Sequence, residues 1–211
     1  GSGQDDAGNI TIKDATVYAD APYAGADIGS GSIKGRPGKI HSITIDSSTI
    51  AARGFNKIAA GIGAGHGGSI DRIKISNSTY NGNSIGTSIY PSPAFNYRAH
   101  RLNDMKEITI ENSKIECDHD MISTDDRDAI TSGVAGIGTG PFGNIDLIQI
   151  KKSTVLAKGH NTGPGIGGGG WAPTRLLHKT HGGNAKKIII EESDVTAFAG
   201  KKGGGAGIGT G

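Results

Sequence analysis

The sequence has few of the residues on which compact globular cores usually depend. Aromatic residues make up only 5% of the 211 residues, and Trp171 is the single tryptophan, so little large side-chain area is available for a compact core. The one cysteine, Cys117, excludes an internal disulfide and a cysteine-rich zinc site. No apolar run approaches the roughly 18 residues of a membrane-spanning helix.

Neither sign of charge is in excess. The chain has 22 basic and 20 acidic residues and a formal net charge of +2, which is not the footprint of a duplex-DNA-binding protein. We therefore expect no nucleic-acid partner and no membrane insertion. A secretory signal is also missing, but Gly1-Ser2-Gly3 resembles the remnant of an expression tag, which is compatible with an exported protein. Residues 1–9 are interpreted as this remnant and a lead-in.

Glycine, by contrast, is abundant at 37 residues, and the chain is repetitive. A motif of the form Ile-x-Ile-x-x-Ser-x-Val recurs six times, starting at Ile10, Ile43, Ile73, Ile108, Ile148 and Ile188. A second motif close to Gly-Ile-Gly follows each copy, centred on Ile28, Ile62, Ile85, Ile137, Ile166 and Ile208. The starts of the first motif lie 30 to 40 residues apart. An internal repeat of this length is typical of solenoid architectures.

The repeat has strand periodicity. In Ile43-Thr44-Ile45 the two isoleucines point to one face of a strand and the threonine to the other. Three short strands per repeat, separated by tight turns, predict one solenoid coil, and stacked coils bury the isoleucine columns. We predict one domain over residues 10–211, an all-β, single-stranded parallel β-helix of six three-strand coils. Its winding is expected to be right-handed, as parallel crossovers almost always are.

Alignment of the repeats predicts which residues lie above one another. One column is almost entirely serine: Ser48, Ser78, Ser113, Ser153 and Ser193, with Ala15 in the first coil. Another holds small residues: Ala19, Ala52, Gly82, Cys117, Ala157 and Ala197. We expect the serines to hydrogen-bond backbone groups of neighbouring coils. Cys117 is expected to be a buried space-filling residue.

The glycine motifs resemble a known kind of sequence. The stretches at 60–63, 135–138 and 206–209 all read Ala-Gly-Ile-Gly. They are similar to the Gly-Ala-Gly-Ile-Gly repeats of bacterial surface and secreted proteins that form β-helices. The resemblance implies an extracellular or cell-surface location and contact with carbohydrate, and it supplies no catalytic motif.

Three coils carry extra residues, and function in a solenoid usually lies on such insertions. The insertions at 90–104 in coil 3 and 171–183 in coil 5 follow the third strand, whereas the insertion at 118–133 in coil 4 precedes it. The first two are expected to flank the corner Thr139-Gly140-Pro141-Phe142 of coil 4. Because the third strands present mostly glycine, we predict a groove with a bare glycine floor, an acidic wall at one edge and a basic, aromatic wall at the other.

The basic and aromatic wall suggests a binding surface. Its candidate ligand-binding residues are Tyr90, Tyr97, Arg98, His100, Arg101, Trp171, Arg175 and His178. Aromatic rings stack on sugar faces, and arginine binds carboxylates or phosphates through two hydrogen bonds. The alternative is that these side chains only pack or solvate their loops.

The acidic insertion has three interpretations. Calcium prefers oxygen ligands, and the candidate ligands are Asp118, Asp120, Asp125 and Asp126. Two carboxylates can also act as acid and base in glycoside hydrolysis, and the candidates for that role are Asp125, Asp126 and Asp128. The third interpretation is a solvated acidic loop. No other cofactor is expected.

Together these patterns favour an extracellular carbohydrate-binding or adhesin-type module that holds a glycan beside coils 3–5. One alternative is a polysaccharide-active enzyme, either a glycoside hydrolase or a lyase, that uses the carboxylates of the acidic insertion. Another is a structural stalk. The last motif, Gly207-Ile208-Gly209, lies in the third strand of coil 6, and no polar capping segment follows it. We therefore expect flanking domains or end-to-end self-association.

Overall fold

The computed structural model describes residues 8–21, 25–33, 36–52, 60–65, 68–88, 104–118, 133–141, 143–170, 182–201 and 204–210. The secondary structure of these residues consists of strands and turns. Within these ranges, no helix is long and apolar enough to cross a membrane.

The strands follow the six repeats, and each repeat is called a coil below. Coil 1 contains β1 (Asn9–Lys13), β2 (Thr16–Ala19) and β3 (Ile28–Ser30), followed by a small hairpin of β4 (Ser32–Ile33) and β5 (Arg36–Pro37). Coil 2 contains β6 (Lys39–Asp46), β7 (Thr49–Ala52) and β8 (Ile62–Ala64). Coil 3 contains β9 (Ser69–Ser76), β10 (Thr79–Gly82) and β11 (Ile85–Thr87).

The remaining three coils continue the pattern. Coil 4 contains β12 (Met105–Glu111), β13 (Lys114–Cys117) and β14 (Ile137–Gly138). Coil 5 contains β15 (Asn144–Lys151), β16 (Thr154–Lys158) and β17 (Ile166–Gly168). In coil 6 the first strand is split into β18 (Asn184–Ala185) and β19 (Ile188–Glu191), and β20 (Asp194–Phe198) and β21 (Ile208–Thr210) follow.

These strands form three parallel sheets. The first sheet has the order β1-β6-β9-β12-β15, with β18 and β19 both paired to β15, and the second has the order β2-β7-β10-β13-β16-β20. The third has the order β3-β8-β11-β14-β17-β21. Each coil thus contributes in turn to all three sheets. The prediction of an all-β, parallel, solenoid-like stack is confirmed.

The isoleucine columns form the core. Ile43 pairs in register with Ile10 and Ile73, and the same register continues through coils 4, 5 and 6. The third-sheet isoleucines are aligned in the same way. In coils 2–5 these isoleucines are completely or almost completely buried. The core is therefore a stack of aliphatic layers, one from each coil. This arrangement explains how the chain forms a buried core with so few aromatic residues.

Among the described core residues, Tyr80 is the one aromatic side chain in the aliphatic columns. It occupies the position of Ile50 in the second sheet and is buried, and its hydroxyl donates to the carbonyl oxygen of Asn83 at 3.1 Å. Burial raises the pKa of this phenol well above its ordinary value. Gly61 and Gly82 make room for the hydroxyl, because a Cβ at either position would collide with it.

The serine column forms a hydrogen-bonded ladder, as predicted. The hydroxyl of Ser78 accepts from the backbone N–H of Ser48 at 3.0 Å and donates to the carbonyl oxygen of Ser76 at 2.6 Å. Equivalent bonds join every adjacent pair of coils, starting from the N–H of Ala15. Cys117 is also buried at its predicted place in the small-residue column.

The turn before each serine adopts a left-handed backbone conformation. The residue at this position has φ between 47° and 52° in every coil, and in none of them is it glycine. The six residues are Asp14, Ser47, Asn77, Asn112, Lys152 and Glu192. Asn and Asp tolerate this conformation better than other L-residues do. The choice of Asp14, Asn77 and Asn112 therefore has a backbone cause, and Ser47, Lys152 and Glu192 adopt the conformation at a higher cost.

The third-sheet glycines do not form a bare floor, and that prediction is wrong. Gly29, Gly63, Gly86, Gly138, Gly167 and Gly209 have φ between 136° and 147°. A Cβ on Gly63 or Gly86 would run into the carbonyl group of the glycine in the next coil. In coils 1–5 these glycines are buried. Glycine is required here so that adjacent coils can approach, and not to expose a surface.

Candidate functional site

The predicted site residues fall mostly outside the described ranges. These are Tyr90, Tyr97, Arg98, His100 and Arg101 of the first insertion, Asp120, Asp125, Asp126 and Asp128 of the second, and Trp171, Arg175 and His178 of the third. The residues that anchor the three insertions are described, and they define where each insertion leaves and rejoins the stack.

A tight bend encloses the third strand of coil 4, which follows the acidic insertion, and the third strand of coil 1. The N–H of Ala135 donates to the carbonyl oxygen of Thr139 at 3.1 Å, and the N–H of Ala26 donates to that of Ser30 at 3.2 Å. The chain therefore enters and leaves the third sheet on the same side. An insertion that precedes the third strand and one that follows it emerge from the same edge of the stack.

Gly133 and Gly170 show this directly. Gly133 ends the acidic insertion of coil 4, and Gly170 immediately precedes Trp171 in the insertion of coil 5. The two residues form an antiparallel bridge in which the N–H of Gly170 donates to the carbonyl oxygen of Gly133 at 2.7 Å. The predicted groove has these two insertions at opposite edges, whereas their described anchors are in contact.

The short corner of coil 4 holds the anchors together. Thr139 is buried, its hydroxyl donates to the carbonyl oxygen of Gly143 at 3.0 Å, and it accepts from the N–H of Gly169 at 3.3 Å. Gly183, where the third insertion ends, donates its N–H to the carbonyl oxygen of Gly169 at 2.6 Å. Both ends of the coil 5 insertion are thus tied to one small backbone network.

The first insertion is anchored one coil away on the same edge. It leaves the stack after Ser88, whose N–H donates to the carbonyl oxygen of Ala64 at 3.0 Å, and its last residue is Asp104. The register of the third sheet aligns Ile85 with Ile137, and Ile137 with Ile166, so the corner that begins at Thr139 lies between the anchors of coils 3 and 5. The insertions themselves and Phe142 lie outside the described residues, so the predicted flanking of this corner stays a prediction.

Asp104 has a structural role at the return of the first insertion. Its Oδ1 accepts from both the backbone N–H and the side-chain Nδ2 of Asn144, at 3.0 and 2.8 Å. Asn144 begins β15 in coil 5, so this carboxylate joins the end of the first insertion to the following coil. Asn144 is also the register partner of Asn184, which follows the coil 5 insertion, so Asp104 connects the ends of the first and third insertions.

Asp118, the first of the four predicted calcium ligands, already has a cationic partner. Lys158 Nζ lies 2.7 Å from its Oδ2, and the two side chains are 27% and 19% exposed. A calcium ion at Asp118 would therefore have to displace an ammonium group. Within the described part of the chain, no group of three or more His, Cys, Asp or Glu residues is placed to hold a metal ion.

The outer face of the first sheet carries a charged column that none of the predicted sites includes. Asp71 lies 3.9 Å from His41 Nδ1 and 3.5 Å from Lys106 Nζ, and Asp146 lies 2.6 Å from Lys186 Nζ. The hydrogen bond to Asp146, together with its charge, raises the pKa of Lys186. The charge alternates in sign from Asp71 through Lys106 and Asp146 to Lys186. These residues all lie two positions before the first isoleucine of the repeat, so aligning that position would have revealed the column.

Comparisons with protein-family models, with curated proteins and with solved structures found no match to this chain.

Proposed function

We propose that this chain is an extracellular carbohydrate-binding module, of the kind found in adhesins, which holds a glycan where the insertions of coils 3, 4 and 5 emerge. The observation that carries the proposal is the hydrogen bond between Gly170 and Gly133, because it joins an insertion that contains Trp171, Arg175 and His178 to one that contains five Asp residues. Both insertions then have access to the same ligand.

The chemistry of the two insertions fits a sugar ligand. Trp171, directly after the Gly170 anchor, would offer an aromatic face for stacking on a sugar ring. Arg175 and the carboxylates of the acidic insertion would supply charged hydrogen-bonding groups, which bind more strongly than neutral ones. Tyr97, Arg98 and Arg101 would approach from the coil 3 side.

A rigid support favours such a site. The stack is proposed to be a right-handed β-helix, since parallel crossovers are right-handed in about 98% of cases. Thr139, Gly169 and Asp104 fix the insertion ends through hydrogen bonds to the coils. Anchors held in this way reduce the entropy lost when a ligand binds.

The test is a broad glycan-binding screen with simultaneous detection of released product. We expect binding without product, and an affinity at least about 10-fold lower in Trp171→Ala. Tyr18→Ala is the matched control, because Tyr18 is an aromatic residue that is 83% exposed on the outer face of the second sheet in coil 1. Loss of binding in Tyr18→Ala with retention in Trp171→Ala would contradict the proposed site.

The same anchor contact favours one alternative function, that of a polysaccharide-active enzyme. Gly133, the last residue of the Asp-bearing insertion, bonds to Gly170, which directly precedes the insertion that carries His178, and Asp and His are a suitable pair for proton transfer. Product release that disappears in Asp126→Asn, with the fold retained, would establish this enzyme in place of the binding module. If the screen detects neither binding nor product, and replacement of both insertions by short glycine linkers leaves the fold intact, the chain is a structural stalk.

A further inference from the structure

The last coil exposes apolar residues that are buried in every interior coil. Ile190 is 36% exposed, although Ile150, its register partner in coil 5, is 0% exposed. Ile208 is 46% exposed, whereas its partner Ile166 is 0% exposed. Within the described residues, no strand pairs with the outer edges of β19, β20 and β21. Coil 6 therefore presents an apolar rung and three sets of backbone donors and acceptors.

The first coil presents the matching surface. Ile10, Ile12, Val17 and Ala19 are only partly buried, and the outer edges of β1, β2 and β3 are unpaired within the described ranges. Coil 1 and coil 6 carry the same residue types in the same columns: Ile10 and Ile188, Ile12 and Ile190, Val17 and Val195, Ala19 and Ala197, Ile28 and Ile208. The outer faces of coil 1 and coil 6 therefore match the two surfaces that meet between successive coils inside the chain.

We infer that coil 1 of a second copy of this chain docks on coil 6, in the register that joins successive coils within one chain. Lys13 and Glu191 share one outer column and would be neighbours of opposite sign across the joint, whereas Asp14 and Glu192 in the next column would be neighbours of like sign. The match of apolar residues, and not charge, therefore carries the inference. A head-to-tail contact of this kind uses two different surfaces and does not close on itself. The product is a linear assembly that lengthens with concentration.

The serine ladder identifies what the joint lacks. At all five steps within the chain, a backbone N–H donates to a serine hydroxyl in the next coil. Across the joint the N–H of Ser193 would meet Ala15, which has no hydroxyl. The joint is therefore short of one hydrogen bond relative to an interior contact, and Ala15→Ser would strengthen it.

Sedimentation velocity of the full chain over a concentration series tests the joint. We expect concentration-dependent oligomers for the unmodified chain and monomers for both Ile190→Lys, which blocks the coil 6 surface, and Ile12→Lys, which blocks the coil 1 surface. An equimolar mixture of the two variants should form a 1:1 dimer, because each supplies the surface that the other has lost. Circular dichroism of each variant verifies that it has folded.

Ala15→Ser supplies an independent readout that does not introduce a charge. It should tighten the association roughly 5-fold, as expected for one recovered hydrogen bond. A monomer at every concentration up to about 1 mM, where even a weak contact would be populated, would overturn the inference. So would a mixture of the two lysine variants that stays monomeric while the unmodified chain associates, because the contact would then join like ends.

Discussion

The backbone N–H of Ser113 donates to the hydroxyl of Ser153, which lies one coil further along the stack, at 3.1 Å. Ser153 in turn donates to the carbonyl oxygen of Lys151 at 2.7 Å. Both serines are buried. Each serine therefore satisfies one buried backbone donor of the preceding coil and one acceptor of its own coil.

Ser153→Ala should lower the free energy of unfolding by about 1–3 kcal/mol, because it leaves the N–H of Ser113 buried without an acceptor. Thr154→Ala is the matched control, since the neighbouring Thr154 side chain is exposed on the outer face of the same coil, and it should change stability by less than about 0.5 kcal/mol. Chemical denaturation of both variants makes the comparison. Equal effects would mean that the serine ladder does not stabilise the stack.

Gly86→Ala should prevent folding or destabilise the chain by more than about 4 kcal/mol. Gly86 has φ of 136°, and a Cβ there would collide with the carbonyl group of Gly138 in the next coil. Gly25→Ala is the control, because nothing lies within 4 Å of a Cβ at that position. Soluble yield and the denaturation midpoint measure both effects, and a Gly86→Ala protein with the unmodified midpoint would refute the stacking explanation.

Lys152→Asn should raise the free energy of unfolding by about 1 kcal/mol, because Lys152 adopts the left-handed conformation with φ of 49° and asparagine adopts it more easily. Asn112→Lys, at the same position of coil 4, should cost a similar amount. Lys151→Asn serves as the control: Lys151 lies in β15, where asparagine is disfavoured. A gain at position 151 instead of 152 would contradict the backbone explanation.

Asp46 should make stability depend on pH in the acidic range. Hydrogen bonds from Asn77 and Ser76 lower the pKa of this carboxyl from 3.8. Because the pKa is lower in the folded chain than in the unfolded chain, the ionised carboxylate stabilises the fold above about pH 4, and this contribution disappears as the pH falls through the folded pKa.

The measurement compares the unmodified chain with Asp46→Asn by denaturation from pH 6 to pH 2. The unmodified chain should be the more stable one at pH 6, and the difference should shrink as Asp46 becomes protonated. The same comparison is made in a Ser76→Ala, Asn77→Ser background. Ser76→Ala removes one side-chain donor to Asp46, and Asn77→Ser replaces the other by a shorter side chain. The difference in stability should then be smaller at every pH. A difference that grows on acidification would give Asp46 the opposite role.

Much of the fold could be predicted because it rests on side-chain periodicity. The spacing of Ile43 and Ile45, repeated in six coils, determines which residues face the interior, and aligning the repeats then places Ser78 next to Ser113 and Cys117 next to Ala157. These columns depend only on residue type and position in the repeat. Both are readable in a single sequence.

The direction of the insertions was harder to predict because it depends on backbone conformation. Alternation along the third strand suggested that Gly138 faces outward, but its φ of 139° belongs to a conformation that alternation does not describe. The bend closed by the hydrogen bond from Ala135 to Thr139 then brings Gly133 next to Gly170. No pattern in the sequence distinguishes this bend from a flat strand. The sequence alone therefore predicts the two insertions at opposite edges of the groove.

The central claim is that coils 4 and 5, which carry the acidic and the aromatic insertion, are direct neighbours in one register. Lys114 and Thr154 are register partners with exposed side chains, whereas Asp194 is the partner of Thr154 in the following coil. Two cysteines replacing Lys114 and Thr154, in a Cys117→Ala background, should form a disulfide readily on mild oxidation, because adjacent strands are about 4.8 Å apart and within bridging range. Cysteines replacing Lys114 and Asp194, at about twice that distance, should not. Crosslinking of the second pair in preference to the first would contradict the stacked register on which the site depends.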